Sequence, residues 1–167
     1  MDAVKRSAEA LGGSLSIQSR PGNRTCFTLR LPLTVAIQPV LLVRVGAEVV
    51  AIPVSKVHGA AEARLETLER AGGAPQLSFG GGHVPVHDLG TLLGAGPVPE
   101  AGRRSVVITE SDTGRVGLAV DQLLGQQEAV LKPLHGPLAL VPGLSAVTVL
   151  GNGRPVFVLD VARLVAP

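Results

Sequence analysis

Val50-Ala51-Ile52-Pro53-Val54-Ser55-Lys56-Val57-His58-Gly59 and Val116-Gly117-Leu118-Ala119-Val120-Asp121-Gln122-Leu123-Leu124-Gly125 read as two versions of one segment, 66 residues apart. A second pair follows in the same order. Val84-Pro85-Val86-His87-Asp88-Leu89-Gly90-Thr91-Leu92-Leu93 matches Val156-Phe157-Val158-Leu159-Asp160-Val161-Ala162-Arg163-Leu164-Val165 at an offset of 72. Two matches in register imply an internal duplication, and so a surface made of paired halves rather than one catalytic cleft.

Within the repeat, Val50, Ile52 and Val54 alternate with smaller or polar neighbours, as do Val116, Leu118 and Val120. That is the period of a strand. Pro53 and Pro85 fall at outward positions, which predicts edge strands, where a missing N–H is harmless. Working outward, Gly46-Ala47 joins Val40–Val45 to Val49–Val54 as a hairpin, and Asp112-Thr113-Gly114 does the same for Ser105–Glu110 and Arg115–Val120. Gly80-Gly81-Gly82 and Gly151-Asn152-Gly153 mark two more hairpin turns, and Gln126–Leu131 reads as a further strand. Glu62–Ala71, with Leu65, Leu68, Glu66 and Arg70, has helical composition closed by Gly72-Gly73. Asp88 and Asp160 are placed to cap short helices. About five short strands per copy with Gly-rich turns predict two small closed barrels.

The first 34 residues differ. Val4, Ala8 and Leu11 share a helix face, Leu15 and Ile17 alternate in a strand, and Pro21-Gly22-Asn23 turns the chain into a second strand, Cys26–Leu31. One helix and one hairpin cannot bury a core of their own. Five basic and two acidic side chains sit here, against ten and eleven in the rest of the chain.

Composition narrows the function. The chain has 167 residues, 46% apolar, with three Phe and no Tyr or Trp. Without aromatic platforms, single-stranded nucleic-acid binding is disfavoured, and a net charge of +2 provides no phosphate-tracking stripe. The lone Cys26 excludes an internal disulfide framework. Mean hydropathy is +0.38, yet no run reaches the ~18 apolar residues of a spanning helix, which predicts a soluble chain with no direct membrane insertion, and with no secretory leader a cytoplasmic location is expected. His83 and His87 are four apart on a strand pattern, roughly 13 Å, too far for one metal ion. No nucleophile–base arrangement stands out around Ser55 or Ser105, so neither a catalytic residue nor a metal site is assigned.

Two stretches carry a family resemblance. Met1–Arg6 with Leu11-Gly12-Gly13-Ser14-Leu15-Ser16-Ile17 through Pro21-Gly22-Asn23-Arg24-Thr25-Cys26-Phe27-Thr28-Leu29-Arg30-Leu31-Pro32-Leu33-Thr34 resembles the end of the ATP-binding domain of chemotaxis histidine kinases, the CheA family. Val120–Leu134 and Val141-Pro142-Gly143 through Gly153 resemble the CheW-like regulatory domain that closes those kinases. The resemblance implies a mainly β fold: a remnant of a GHKL-type α/β domain at 1–34, then a CheW-like domain at 35–167. That domain would hold two SH3-like barrels, at about 39–94 and about 103–167.

It further implies docking to a CheW-type coupling protein and chemoreceptor cytoplasmic tips at receptor arrays. Receptor state would pass to histidine-kinase autophosphorylation in a two-component phosphorelay. The phosphoacceptor domain and most of the ATP site would precede Met1, so no cofactor is expected for this chain itself, ATP with Mg belonging to the longer kinase. Thr25 stands where a nucleotide-lid threonine would, but Arg24 replaces the family's glycine before it. Val54, Val57 and Pro85 are the expected partner contacts. Two other readings are a stand-alone CheW-type adaptor and a partial kinase subunit completed by another chain.

Overall fold

The computed structural model describes residues 2–10, 13–22, 24–31, 37–95 and 102–165. The chain divides into two compact units, 1–36 and 37–167.

In the first unit, helix α1 (Asp2–Ala10) precedes an antiparallel hairpin of β1 (Ser14–Arg20) and β2 (Arg24–Arg30). The Gly13 amide bonds the Ala8 carbonyl at 2.8 Å, which closes the helix end. A side chain at Gly13 would collide with the Arg30 carbonyl, so only glycine lets β2 approach this closely. Leu15 faces Leu29 and Ile17 faces Phe27 across the ladder, forming an apolar face. Ile17, Phe27 and Leu29 stay half-exposed, and Ala8 is buried. Among the described residues of this unit, none joins one of the buried apolar clusters.

Among the described residues the second unit holds twelve strands: β3 (Ile37–Val45), β4 (Glu48–Pro53), β5 (Val57–Arg64), β6 (Glu69–Ala71), β7 (Ala74–Phe79), β8 (Gly82–Asp88), β9 (Arg103–Ser111), β10 (Gly114–Val120), β11 (Gln122–Val130), β12 (Lys132–Pro133), β13 (Leu144–Val149) and β14 (Pro155–Leu159). Helices α2 (Leu89–Leu92) and α3 (Val161–Val165) follow β8 and β14. The strands form two six-stranded sheets, ordered β11-β3-β4-β14-β13-β12 and β5-β9-β10-β8-β7-β6.

The sheets do not follow the two halves of the chain. Each takes one hairpin from the opposite half: β3–β4 completes a sheet otherwise made of β11–β14, and β9–β10 completes one otherwise made of β5–β8. Contiguous barrels at about 39–94 and about 103–167 therefore do not describe the sheets. The joints are two short parallel ladders, Val50–Ala51 beside Phe157–Val158 and Gly117–Ala119 beside Val86–Asp88.

The duplication survives the exchange in detail. Val43 pairs with Val50 in β3–β4, and Thr109 with Val116 in β9–β10, both shifted by 66. Even the β-bulge recurs, between Val57 and Gly59 on β5 and between Leu123 and Gly125 on β11.

The packing explains the apolar composition. One core cluster draws on both sheets (Leu41, Val43, Val45, Ile52, Val107, Leu118, Leu159). Two others lie within single sheets, around Val40, Leu42 and Val158, and around Val106, Ile108 and Val86. Strands β3 and β9 thus bury side chains on both faces, which requires the continuous runs Val40-Leu41-Leu42-Val43 and Val106-Val107-Ile108.

Three expectations change. Glu62–Ala71 is not a helix: it completes β5, passes through a 3-10 turn at Leu65–Thr67 and forms β6. Gly72 and Gly73 both have positive φ and make the two-residue turn that pairs Ala71 with Ala74, so the dipeptide signals a hairpin rather than a helix end. Nor are β4 and β8 edge strands. Pro53 lies beyond the parallel ladder that ends at Ala51, and Pro85 lies just before the one that starts at Val86. The prolines thus flank the ladders, where an absent N–H breaks none of their bonds. By contrast Asp88 does cap α2, accepting from the Thr91 amide at 2.7 Å, and Asp160 accepts from the Arg163 amide at 3.4 Å.

Candidate functional site

The most concentrated electrostatics lie where the two sheets meet. Arg104, near the start of β9, is buried to 7% side-chain exposure. Its guanidinium bonds the Asp88 carboxylate through Nη1, and through Nη2 it reaches Asp121 at 2.9 Å and the Ala119 carbonyl at 3.5 Å. The second oxygen of Asp121 accepts the Gly46 amide at 2.6 Å, and the Asp121 amide donates to the Arg44 carbonyl at 3.0 Å. Asp121 therefore ties the β9–β10 hairpin to the turn between β3 and β4. Asp88 serves twice, holding the arginine with one oxygen and capping α2 with the other. A planar fork between two carboxylates is a geometry arginine fits and lysine does not. The capping role of Asp88 was readable from sequence. Arg104 and Asp121 were missed, although a charged residue opening an apolar strand was the available signal.

A cavity of ≈ 590 Å³ lies elsewhere in the same unit, lined among others by Pro53, Lys56, Glu110, Asp112, Ser145 and Asp160. Among the described residues no group of three or more His, Cys, Asp or Glu is placed to hold a metal ion. The surface also exposes large apolar side chains. Ile37 and Val130 face each other across β3 and β11, and Leu138, Leu140 and Val141 follow in the segment before β13, Leu140 at 84% exposure. Such side chains are the ordinary material of a protein contact.

The residues singled out from sequence are scattered. Thr25 is exposed on β2, its hydroxyl 3.0 Å from that of Ser19, the residue opposite it. Val54 and Val57 are half-buried and pack against the core shared by both sheets. Pro85 is half-buried on β8, opposite Gln76. Val57 and Pro85 belong to one sheet, while Val54 lies in the turn between β4 and β5. No helix among the described residues is long and apolar enough to cross a membrane.

Comparison with known proteins follows this architecture. The chain is 39% identical to the chemotaxis protein CheA of Salmonella typhimurium over 98% of its own length, which is 25% of that protein. It is 36% identical to the chemotaxis protein CheA of Halobacterium salinarum over 98% of its length and 24% of the relative's. The chain thus spans about a quarter of the length of these curated relatives. Among solved structures, the scaffolding protein TtCheW of Thermoanaerobacter tengcongensis superposes with a TM-score of 0.65 at 14% identity, covering 77% of this chain and 92% of that one. That likeness is one of fold. The model of the CheW-like domain matches residues 39–166, and the chain belongs to the CheW-like domain family.

Proposed function

We propose that this chain is a docking module of a chemotaxis signalling assembly. It binds a CheW-type coupling protein and the cytoplasmic tips of chemoreceptors, and it passes receptor state to histidine-kinase autophosphorylation in a two-component phosphorelay. The observation that carries this reading is the CheW-like match over 39–166. The geometry is in keeping with it: Arg104, Asp88 and Asp121 are engaged within the fold, while the surface exposes apolar side chains such as Ile37, Val130 and Leu140. These three are proposed contacts, together with Val54, Val57 and Pro85 through the half of each that solvent reaches. The chemistry is association, with no catalytic residue and no cofactor of its own.

Residues 1–34 are read as the tail of a GHKL-type ATP-binding domain, in support of which the alignments to CheA proteins take in nearly the whole chain. On this reading ATP and Mg bind the remainder of a longer kinase, and Thr25 is a remnant of its nucleotide lid. The two sheets are read as SH3-like barrels. The CheW-like match over 39–166 supports that reading. A second reading, a CheW-type adaptor, is favoured by the 92% coverage of TtCheW. A third, a partial kinase subunit completed by another chain, rests on the exposed Ile17, Phe27 and Leu29 of β1–β2.

Calorimetric titration of the purified chain with a CheW-type coupling protein, and separately with a receptor tip, tests the proposal. Saturable binding that Ile37→Asp and Leu140→Asp each weaken supports it. Absence of binding to both partners overturns it. Labelled ATP added to the chain alone, then with upstream kinase domains, distinguishes the three readings by which mixture transfers phosphate.

A further inference from the structure

The duplication allows the two halves to be compared atom group by atom group. Strands β3–β4–β5 map onto β9–β10–β11 at an offset of 66, and the β8–α2 junction maps onto β14–α3 at 72. The seat of the Arg104 guanidinium is built from Asp88, the Ala119 carbonyl, Asp121 and the turn at Gly46. Their counterparts in the other half are Asp160, Pro53, Ser55 and Asp112. Asp160, Pro53 and Asp112 all line the ≈ 590 Å³ cavity. The cavity therefore occupies the duplicate of the arginine seat.

What the second seat lacks is the arginine. The counterpart of Arg104 is Gln38, exposed on β3, and the counterpart of the clamping Asp121 is Ser55, also exposed. The counterpart of Asp88, Asp160, remains, and Glu110 and Asp112 stand where the first seat has Arg44 and Gly46. Three acidic residues (Glu110, Asp112, Asp160) and Lys56 thus line the cavity. Arg163 meets Asp160 at 3.4 Å but is itself 71% exposed, an arrangement that holds little energy and yields to a better-oriented guanidinium. Ser111 and Ser145 add hydroxyls that accept hydrogen bonds.

We infer that this cavity receives an arginine side chain supplied by a partner polypeptide, which fills in trans the seat that Arg104 fills in cis. Arginine is favoured over lysine because the occupied seat uses the planar fork, two nitrogens reaching three acceptors. The inference rests on the internal duplication and is independent of the docking function proposed above, so either can fail alone.

The test is a nuclear magnetic resonance titration of the ¹⁵N-labelled chain with N-acetyl-arginine methylamide, and in parallel with its uncharged isostere N-acetyl-citrulline methylamide. Saturable shifts are expected for the arginine probe at the amides of Ser111, Asp112, Ser145, Asp160 and Val161, with none for citrulline. Asp160→Asn keeps the helix cap, because asparagine caps as well as aspartate, and it should weaken the arginine probe by about tenfold by removing a charge-assisted bond. The pair Gln38→Arg and Ser55→Asp rebuilds the first clasp in the second seat and should abolish probe binding while retaining a dispersed spectrum. Equal binding of citrulline, shifts that fail to saturate, or an unchanged affinity in Asp160→Asn would overturn the inference. Because the citrulline control, the saturation and Asp160→Asn do not depend on the double variant, its failure to fold leaves the test intact.

Discussion

Replacing Arg104 by methionine keeps a long apolar stem in the buried position and removes the guanidinium. Two carboxylates then lose their shared cation. Breaking a buried ion pair from one side costs about 3–5 kcal/mol. Two features reduce that here. Asp88 and Asp121 retain 23% and 26% side-chain exposure, so water restores part of the lost solvation. The Arg104 Nε is buried without a partner, an existing penalty that the substitution removes. Both aspartates also keep their other duties, Asp88 at Thr91 and Asp121 at Gly46. The expected net loss is about 2–4 kcal/mol, a large share of the ~5–15 kcal/mol available to a domain. The assay is urea unfolding followed by far-ultraviolet circular dichroism, since the chain has no Trp or Tyr to report by fluorescence. Pairing Arg104→Met with Asp121→Asn should give a double variant less destabilised than the sum of the singles by at least about 1 kcal/mol, because the second change relieves a stranded charge. A loss below ~0.5 kcal/mol for Arg104→Met, or strict additivity, would refute the clasp as an energetic unit.

Thr109 is fully buried with an unpartnered hydroxyl, and its duplicate is the core residue Val43. Thr109→Val should therefore raise the urea midpoint, with a gain of about 1 kcal/mol from removing an unsatisfied buried group; a lowered midpoint would mean that the hydroxyl has a role in the fold. Separately expressed segments 37–95 and 102–167 should each be unfolded and should yield a dispersed spectrum only when mixed, since each sheet needs strands from both. A folded single segment would contradict the exchanged topology.

Much of the local structure was legible in the sequence because it depends on near neighbours. The hairpin turns and the helix caps at Asp88 and Asp160 follow from spacings of a few residues. The exchange of hairpins was not legible: β4 has the same alternating pattern whether its parallel neighbour is β8 or β14, and periodicity is blind to partner choice. At Glu62–Ala71 the local signal misled, because helix-forming side chains were overruled by a two-residue glycine turn and by Leu65 and Leu68 packing onto a core. Carrying the 66-residue offset through Arg64 would have identified β5 from β11. The clasp was half visible, since a cap is a local device, whereas Arg104 meets Asp88 and Asp121 only after three strands have assembled.

The exchanged hairpins bear on how the protein is made. Synthesis delivers β3 and β4 before their lateral neighbours, β11 and β14, which follow only after β5 to β10. Until then this very apolar hairpin has two unpaired edges, and β5–β8 wait on β9 and β10 for the same reason. Neither sheet can form during translation of the first half, so the nascent chain presents open edges that invite pairing with a neighbouring copy. A duplicated sequence makes that hazard acute, because an emerging β3–β4 hairpin resembles the β9–β10 hairpin that another chain's β5 and β8 await.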